Sequence, residues 1–353
     1  MPPRLVYRQL RTGSLHRLQQ RTEPLPACRP DEVTIAMRAI GLNFADLFAL
    51  FGLYSATPTG TFIPGLEVAG EVQAIGAGVN TLKPGDPVMG VTRFGAWASH
   101  LNVDHRYVRP LPSGWSFEAG AAYPVQALTA YYALCSLGNL QSNQTVLIHS
   151  AAGGVGLLAN RIAKRFDAFT VGTVGHGDKL VVLEEEGYDR GIVRGRDFPR
   201  QLAKALEGRP LDLVLECIGG RILKASLHQL APRGRLVVYG AARYASCGSR
   251  PAYWKLLGQY LRRPRLDIEA LISENKSVMA FNLIHLYDQT ETLSSLWEGL
   301  EQLKLPPSRI GEVFPFAELP AAIRGLQSGR TVGKVVVSVN PDSELESGTK
   351  IMR

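Results

Sequence analysis

The sequence is short of the patterns that build metal and disulfide scaffolds. Its four cysteines, Cys28, Cys135, Cys217 and Cys247, are scattered with no C-x-x-C pair. That spacing removes support for a zinc ribbon, an iron–sulfur cluster or a disulfide framework, and free thiols in a reducing compartment are the simplest reading. Long apolar runs are missing too. None reaches the roughly 20 residues that cross a bilayer, and none follows the first basic residues as in a secretory leader. A soluble, cytoplasmic protein is expected. Charge is modest: 20% of the 353 residues are charged and 45% hydrophobic, which is globular composition. The net charge of +8 is spread thinly, its densest run being Arg262, Arg263 and Arg265. A basic balance admits nucleic acid, an anionic membrane or a phosphate-bearing cofactor as partner. The thin spread makes nucleic acid the least favoured of these.

At roughly 150 residues per domain the chain holds about two domains. Up to about residue 110 it reads as short strands broken by Gly and Pro, such as Val33–Met37, Val68–Ile75 and Val88–Val91. Turns at Pro64-Gly65, Lys83-Pro84-Gly85-Asp86 and Pro112-Ser113-Gly114 suit an all-β, barrel-like module. From Ser116, which can cap a helix through Ala122, the pattern changes. A second helix is expected over Ala127–Leu137. Apolar strands then alternate with amphipathic helices: Thr145–His149, Phe169–Val174, Ile192–Val193, Leu211–Glu216 and Arg235–Tyr239 are the strands. Such alternation calls for a parallel sheet covered on both faces, an α/β fold. Residues 245–270 read as irregular, aromatic and basic. A strand over Ser277–Leu283, a helix over Thr290–Leu303, and a strand, helix and strand at Val313–Phe316, Leu319–Leu326 and Lys334–Val339 complete the chain. The tail beyond Asn340 is polar and expected to fray.

The most specific motif runs from Thr145 to Gly156: a buried strand, a glycine-rich turn, then a helix. Gly153 and Gly154 let the backbone approach a pyrophosphate, and Gly156 lets the helix pack against the strand. The helix N-terminus supplies unpaired N–H groups and the positive end of its dipole. In this βαβ setting the motif predicts dinucleotide binding. The next strand ends Thr173-Val174-Gly175-His176-Gly177 with no acid at its tip, where an NAD site usually carries one. Lys179 follows, and Arg194 and Arg196 lie past the next strand. Cations without a carboxylate suit a 2′-phosphate, so NADPH is the expected cofactor. Asp178 reads as a helix-start residue instead.

These residues bring a family into view. The chain resembles the medium-chain dehydrogenase/reductase superfamily, in particular its zinc-independent quinone oxidoreductases. The matching pieces are Gly41-Leu-Asn-Phe-Ala-Asp46, Pro64-Gly-Leu-Glu-Val-Ala-Gly70, the Lys83–Asp86 turn, Ala127-Leu-Thr-Ala-Tyr131, the glycine loop and Gly333-Lys334. Phe51-Gly-Leu-Tyr54 and Ser277-Val-Met-Ala-Phe-Asn282 resemble the synaptic-vesicle membrane protein homologues within it. The resemblance implies a GroES-like catalytic domain (1–124 and 289–343) split by a Rossmann NADPH-binding domain (125–288), with a flexible tail at 344–353. It implies a cleft that holds the cofactor and a homodimer joined near Ser277–Leu283. Asn43 and Leu66 stand where zinc-dependent relatives have Cys and His. Leucine cannot ligate, so no metal is expected. Without a Lewis acid the chemistry turns to easy hydride acceptors, quinones or activated C=C bonds.

On that resemblance Asn43 and Tyr54 are the expected catalytic groups, with Asn43 able to bond the nicotinamide ribose or a carbonyl. Thr129 is expected at the nicotinamide amide, Phe281 and Asn282 at the nicotinamide end, and Tyr239 and Gly240 at the strand end on the cofactor edge of the sheet. Ser150, Gly153, Gly154, Val155 and Gly156 would form the phosphate loop; Thr173, Gly175, Lys179 and Arg194 the adenosine side; Lys334 completes the cofactor set. Asp46 and Glu67 read as structural carboxylates, His149 as a satisfied core histidine, and His100 and His105 as surface residues. Cys217 and Cys247 carry no flanking cation that marks a thiolate. The basic, amphipathic segment Tyr253–Arg263 reads as a lid or dimer-flanking helix, or as a membrane-surface contact. The alternative to a reductase of quinones or enones is an NADPH-binding adaptor or membrane-associated protein with little catalysis.

Overall fold

The computed structural model describes residues 2–245 and 248–341. The expected frayed tail (from 342) and Cys247 lie outside the described residues. A short hairpin, β1 (Pro3–Gln9) and β2 (Leu18–Pro24), comes first. β3 (Glu32–Gly41), β4 (Glu67–Ile75), β5 (Pro87–Val91), β6 (His100–Asp104) and β7 (Val108–Pro110) follow. The all-β expectation for this stretch needs correction, because α1 (Phe44–Phe51) interrupts it. Leu47, Leu50 and Phe51 fall at helical spacing and are buried. The backbone N–H of Asn43 donates to Asp46 Oδ2 at 2.8 Å, closing the first turn, and Gly52 ends the helix at φ 72°.

α2 (Phe117–Ala121) is capped by the Ser116 hydroxyl, as its sequence predicts. α3 (Pro124–Tyr131) ends sooner than expected: at Tyr132–Leu137 the coil widens to a π turn. The expected alternation of strand and helix then unfolds. β8 (Thr145–His149) leads into α4 (Gly154–Lys164), and β9 (Phe169–Val174) into α5 (Leu180–Glu185). β10 (Arg190–Val193) leads into α6 (Phe198–Leu206), and β11 (Leu211–Glu216) into α7 (Gly220–Gln229). After β12 (Leu230–Val238), the stretch expected to be irregular holds two helices among its described residues. These are α8 (Tyr253–Leu261), within the segment read as an amphipathic helix, and α9 (Ile268–Ser273), which was not expected. β13 closes at Ala280 rather than running to Leu283 (Ser277–Ala280). α10 (Thr290–Leu303), β14 (Ile310–Pro315), α11 (Leu319–Gln327) and β15 (Lys334–Ser338) complete the chain.

Two sheets organise the molecule. The first runs β14-β15-β3-β4-β5-β7, with β6 also on β3. The second is fully parallel in the order β10-β9-β8-β11-β12-β13. In that sheet the chain starts at the centre and winds outward in both directions. The reversal next to β8 leaves a crevice at the strands' carboxyl ends. Its central strands are apolar on both faces because helices cover both sides. A continuous core joins the two sheets through α2, α3 and α10. There Leu128, Leu293, Leu296 and Trp297 pack with Ala69 and Met89 of the first sheet and Val146 and Leu215 of the second. His100, expected at the surface, is buried: its strand lies against β3, and its Nδ1 sits 3.0 Å from the Ser99 hydroxyl.

Candidate active site

The crevice between the sheets holds a cavity of about 1160 Å³. Its floor is the turn between β8 and α4. A side chain cannot be accommodated there: a Cβ on Gly154 would sit 2.7 Å from Gln126 Cγ, and one on Gly156 2.6 Å from Ala151 Cα. Gly153 precedes α4 without any side-chain cap, and its own N–H is taken by the Ser150 carbonyl at 2.9 Å, so no side chain covers the first amides of this 11-residue helix. Ser150 adopts φ 52°, a left-handed conformation that glycine would take at less cost. Val155 and Thr129 also line the wall. The cradle fits a pyrophosphate by shape, by open donors and by dipole.

The adenosine side lies at the tips of β9 and β10, where Gly175, Lys179 and Arg194 line the cavity. The Lys179 ammonium donates to the carbonyls of Gly329 (2.7 Å) and Thr331 (2.9 Å), which ties the second sheet's side of the crevice to the loop before β15. Burial lowers its pKa. Arg194 gives one nitrogen, Nη1, to the carbonyl and hydroxyl of Thr173, both at 2.9 Å. Among the described residues its Nη2 and Nε meet no acceptor. A partly buried guanidinium facing a cavity with no carboxylate partner fits an anionic ligand group. Thr173 departs from its expected place. It is fully buried and stands behind Arg194 rather than in the wall.

At the opposite end Tyr239, Gly240, Phe281 and Asn282 line the cavity together with Tyr54. Tyr54 comes from the loop after α1, Asn282 from the end of β13. The Tyr54 hydroxyl donates to Asn282 Oδ1 at 2.8 Å, across 228 residues of sequence separation. Burial pushes the phenol up to about 12, so it is a proton carrier at neutral pH.

Beneath this end lies a cluster that the sequence reading did not assemble. Lys334 and Glu67 form a buried ion pair. The same ammonium donates to Asn43 Oδ1 and to Gln126 Oε1, both at 2.8 Å. Gln126 Nε2 also donates to Asn43 Oδ1 (2.7 Å), and Asn43 Nδ2 donates to Glu67 Oε1 (3.2 Å) and the Gly41 carbonyl (3.4 Å). Glu67 Oε2 accepts from the Val125 N–H at 2.8 Å. Burial pulls the Lys334 ammonium down, while the Glu67 charge opposes that shift. Asn43 and Lys334 line the cavity as expected, but their polar atoms are turned on each other. Gln126 is the residue missed; only its place one turn into a proline-started helix hinted at it. Asp46, buried in α1, has its carboxyl pushed up to about 7 by desolvation.

The zinc position is thereby tested chemically. Leu66 offers no donor, and both oxygens of Glu67 are occupied by Lys334, Asn43 and Val125. The donor set does not fit zinc. Among the described residues no cluster of three metal-type ligands occurs elsewhere, and no helix is long and apolar enough to cross a membrane.

Comparison with known proteins agrees with this geometry. Residues 29–113 match the alcohol dehydrogenase GroES-like domain, and residues 192–337 match a family described as zinc-binding dehydrogenase. The human synaptic vesicle membrane protein VAT-1 homolog is 33% identical over 333 residues, covering 93% of this chain and 84% of that protein. A Thermus thermophilus quinone oxidoreductase, solved also with NADPH, is 30% identical with a TM-score of 0.76, covering 95% of this chain and 99% of its own. CurK enoyl reductase is 29% identical with a TM-score of 0.81, covering 96% and 99%.

Proposed function

The chain belongs to the zinc-independent medium-chain dehydrogenase/reductases, in the group of the VAT-1 homologues, and from that premise we propose that it is an NADPH-dependent reductase of quinones or α,β-unsaturated carbonyls. The observation that carries the reading is the Tyr54–Asn282 pair, a proton-bearing hydroxyl held at the end of a dinucleotide cradle. The amides of the first turn of α4, Gly154 to Gly156, would hold the pyrophosphate, Arg194 the 2′-phosphate, and Tyr239, Gly240 and Phe281 would flank the nicotinamide end. A reduced nicotinamide bound there supplies the hydride.

The protein's own part is orientation and proton supply. Tyr54 donates its O–H to the acceptor's oxygen in competition with Asn282 Oδ1, and so stabilises negative charge that develops on that oxygen. Its pKa near 12 keeps the proton in place until the oxygen becomes basic enough to take it. Asn43 is held by four protein contacts and acts as part of the rigid floor rather than as a ligand to substrate. The Lys334–Glu67 pair supplies the charge balance in the space where a relative's metal would sit.

The free edge of β13 beside Ser277–Ala280 favours a homodimer joined there. A second reading, a protein that works mainly by docking, is favoured by α8 and α9. Neither has a buried residue, and Trp254 is 86%, Leu261 72% and Ile272 74% exposed beside Arg262 and Arg263. The deciding experiment monitors NADPH oxidation with a panel of quinones and enones, alongside nicotinamide fluorescence on binding. Turnover with at least one acceptor supports the reductase. Tight NADPH binding without any turnover supports the docking reading, and no nucleotide binding refutes both.

A further inference from the structure

Arg194 is a cation that the protein holds without neutralising. Its Nη1 is spent on Thr173, and its Nη2 lies beside Gly175, where an added Cβ would be 3.4 Å away. What holds Thr173 in turn is a buried chain of hydrogen bonds through His149 and Ser226. Thr173 Oγ1 accepts from Arg194 at 2.9 Å, so its own hydrogen is available to His149 Nδ1 at 2.8 Å. With that hydrogen directed at Nδ1, the imidazole carries its one proton on Nε2. That proton meets Ser226 Oγ at 2.9 Å, and the Ser226 hydroxyl donates to the Ile222 carbonyl at 3.0 Å. Thr173, His149 and Ser226 are all fully buried.

Run in this direction, the chain needs a neutral ring, since an imidazolium has no lone pair for the Thr173 hydrogen. Burial and the nearby Arg194 charge both hold the ring neutral, down to about pH 3. The nearest carboxylate, Glu216, lies on the far edge of the ring, with Oε2 3.4 Å from His149 Nε2. Its other oxygen is occupied by the amides of Ile218 and Gly219. Among the described residues Glu216 is the buried acid beside this ring; it makes no ion pair with the guanidinium, although its charge reaches Arg194.

We propose that His149, acting through Thr173, is a positioning residue for recognition of an adenosine 2′-phosphate by Arg194. It fixes the guanidinium in one orientation before the ligand arrives, and it does so without supplying a negative charge that would compete with the phosphate. Lys179 is not equivalent, because its ammonium is already engaged by the Gly329 and Thr331 carbonyls. The proposal rests on the NADPH reading above.

The test measures affinities for NADPH and NADH by nicotinamide fluorescence. Affinities for adenosine 2′,5′-bisphosphate and 5′-AMP are measured by calorimetry, which isolates the adenosine end. Thr173→Val and His149→Leu are expected to lower the ratio of NADPH to NADH affinity about tenfold, close to 1.4 kcal/mol. The ratio of the two adenosine nucleotides should fall in parallel. Thr173→Ser restores the hydroxyl and His149→Gln restores an acceptor and a donor at the same edges, so both should recover most of the preference. Thr173→Val is nearly isosteric and serves if His149→Leu does not fold. If Thr173→Val weakens both nucleotides equally and leaves the ratio unchanged, the chain is only core structure and the proposal falls. If the wild-type protein itself binds NADH as tightly as NADPH, the cofactor reading fails, and this inference with it.

Discussion

Replacing Lys334 by methionine should be among the most damaging single changes in the molecule, and a second change should repair it. The ammonium and its partner Glu67 have side chains only 3% and 0% exposed. With Lys334 gone, the Glu67 carboxylate keeps just the Val125 amide at 2.8 Å and the Asn43 amide at 3.2 Å. A buried charge left in that condition costs about 3–5 kcal/mol. That is a large share of a total stability of about 5–15 kcal/mol. Glu67→Gln leaves the complementary problem, a buried ammonium facing only the neutral oxygens of Asn43 and Gln126. The double variant removes both charges and both desolvation penalties. It should lie within about 2 kcal/mol of wild type, because a buried ion pair contributes little net stability over a neutral replacement. Urea unfolding of the four proteins measures this cycle, with equal m-values as the check that the unfolded states match. If the double variant is as unstable as the sum of the singles, the two groups do not compensate each other, and the account of this cluster as a charge-balanced floor is wrong.

Three further outcomes are expected. Tyr54→Phe should lower kcat about 100-fold while NADPH still quenches on binding; unchanged kcat with any accepted substrate would remove Tyr54 from the reaction. Because burial holds that phenol near 12, the wild-type rate should show no fall attributable to its ionisation between pH 6 and 9; a basic limb in that range that Tyr54→Phe abolishes would contradict it. Asp46 should make stability depend on pH in a specific sense. Its carboxyl is raised from 3.8 to about 7, so the folded protein binds a proton that the unfolded chain has lost. Its contribution is most favourable below about pH 4, falls by roughly 4 kcal/mol as pH climbs to about 7, and is flat above. Asp46→Asn should remove that slope and be more stable than wild type at pH 8; parallel pH profiles in urea melts would refute this.

Much of the second sheet was legible because its signals are local. β8, β9 and β11 are apolar runs bounded by polar turns, and the glycines after β8 announce a turn whose backbone must come close to something. The same locality misled elsewhere. Phe44–Phe51 lies among strands and is rich in aromatics, so it read as β until the Asn43–Asp46 contact and Gly52 were seen to bound a helix. The short helix Ile268–Ser273 lay in a stretch read as irregular, and it has no buried residue to mark it. His100 looked polar and superficial, but a strand's pairing with β3 decides its burial.

The amino-acid sequence alone determined the parallel sheet, the phosphate loop, the absence of an acid at the tip of β9, and the loss of zinc-type ligands at Asn43 and Leu66. Each of these depends on residue type and on neighbours a few positions away. Tertiary structure alone decided which polar atoms face one another. Tyr54 meets Asn282 across 228 positions, Lys334 meets Asn43 across 291, and Thr173 stands between Arg194 and His149. The first two pairings follow from how two sheets close on a shared core, the third from the register of neighbouring strands within one sheet. The same side chains, read singly, could have faced the ligand, and burial decides the matter because each polar atom removed from water must find its partner inside the protein.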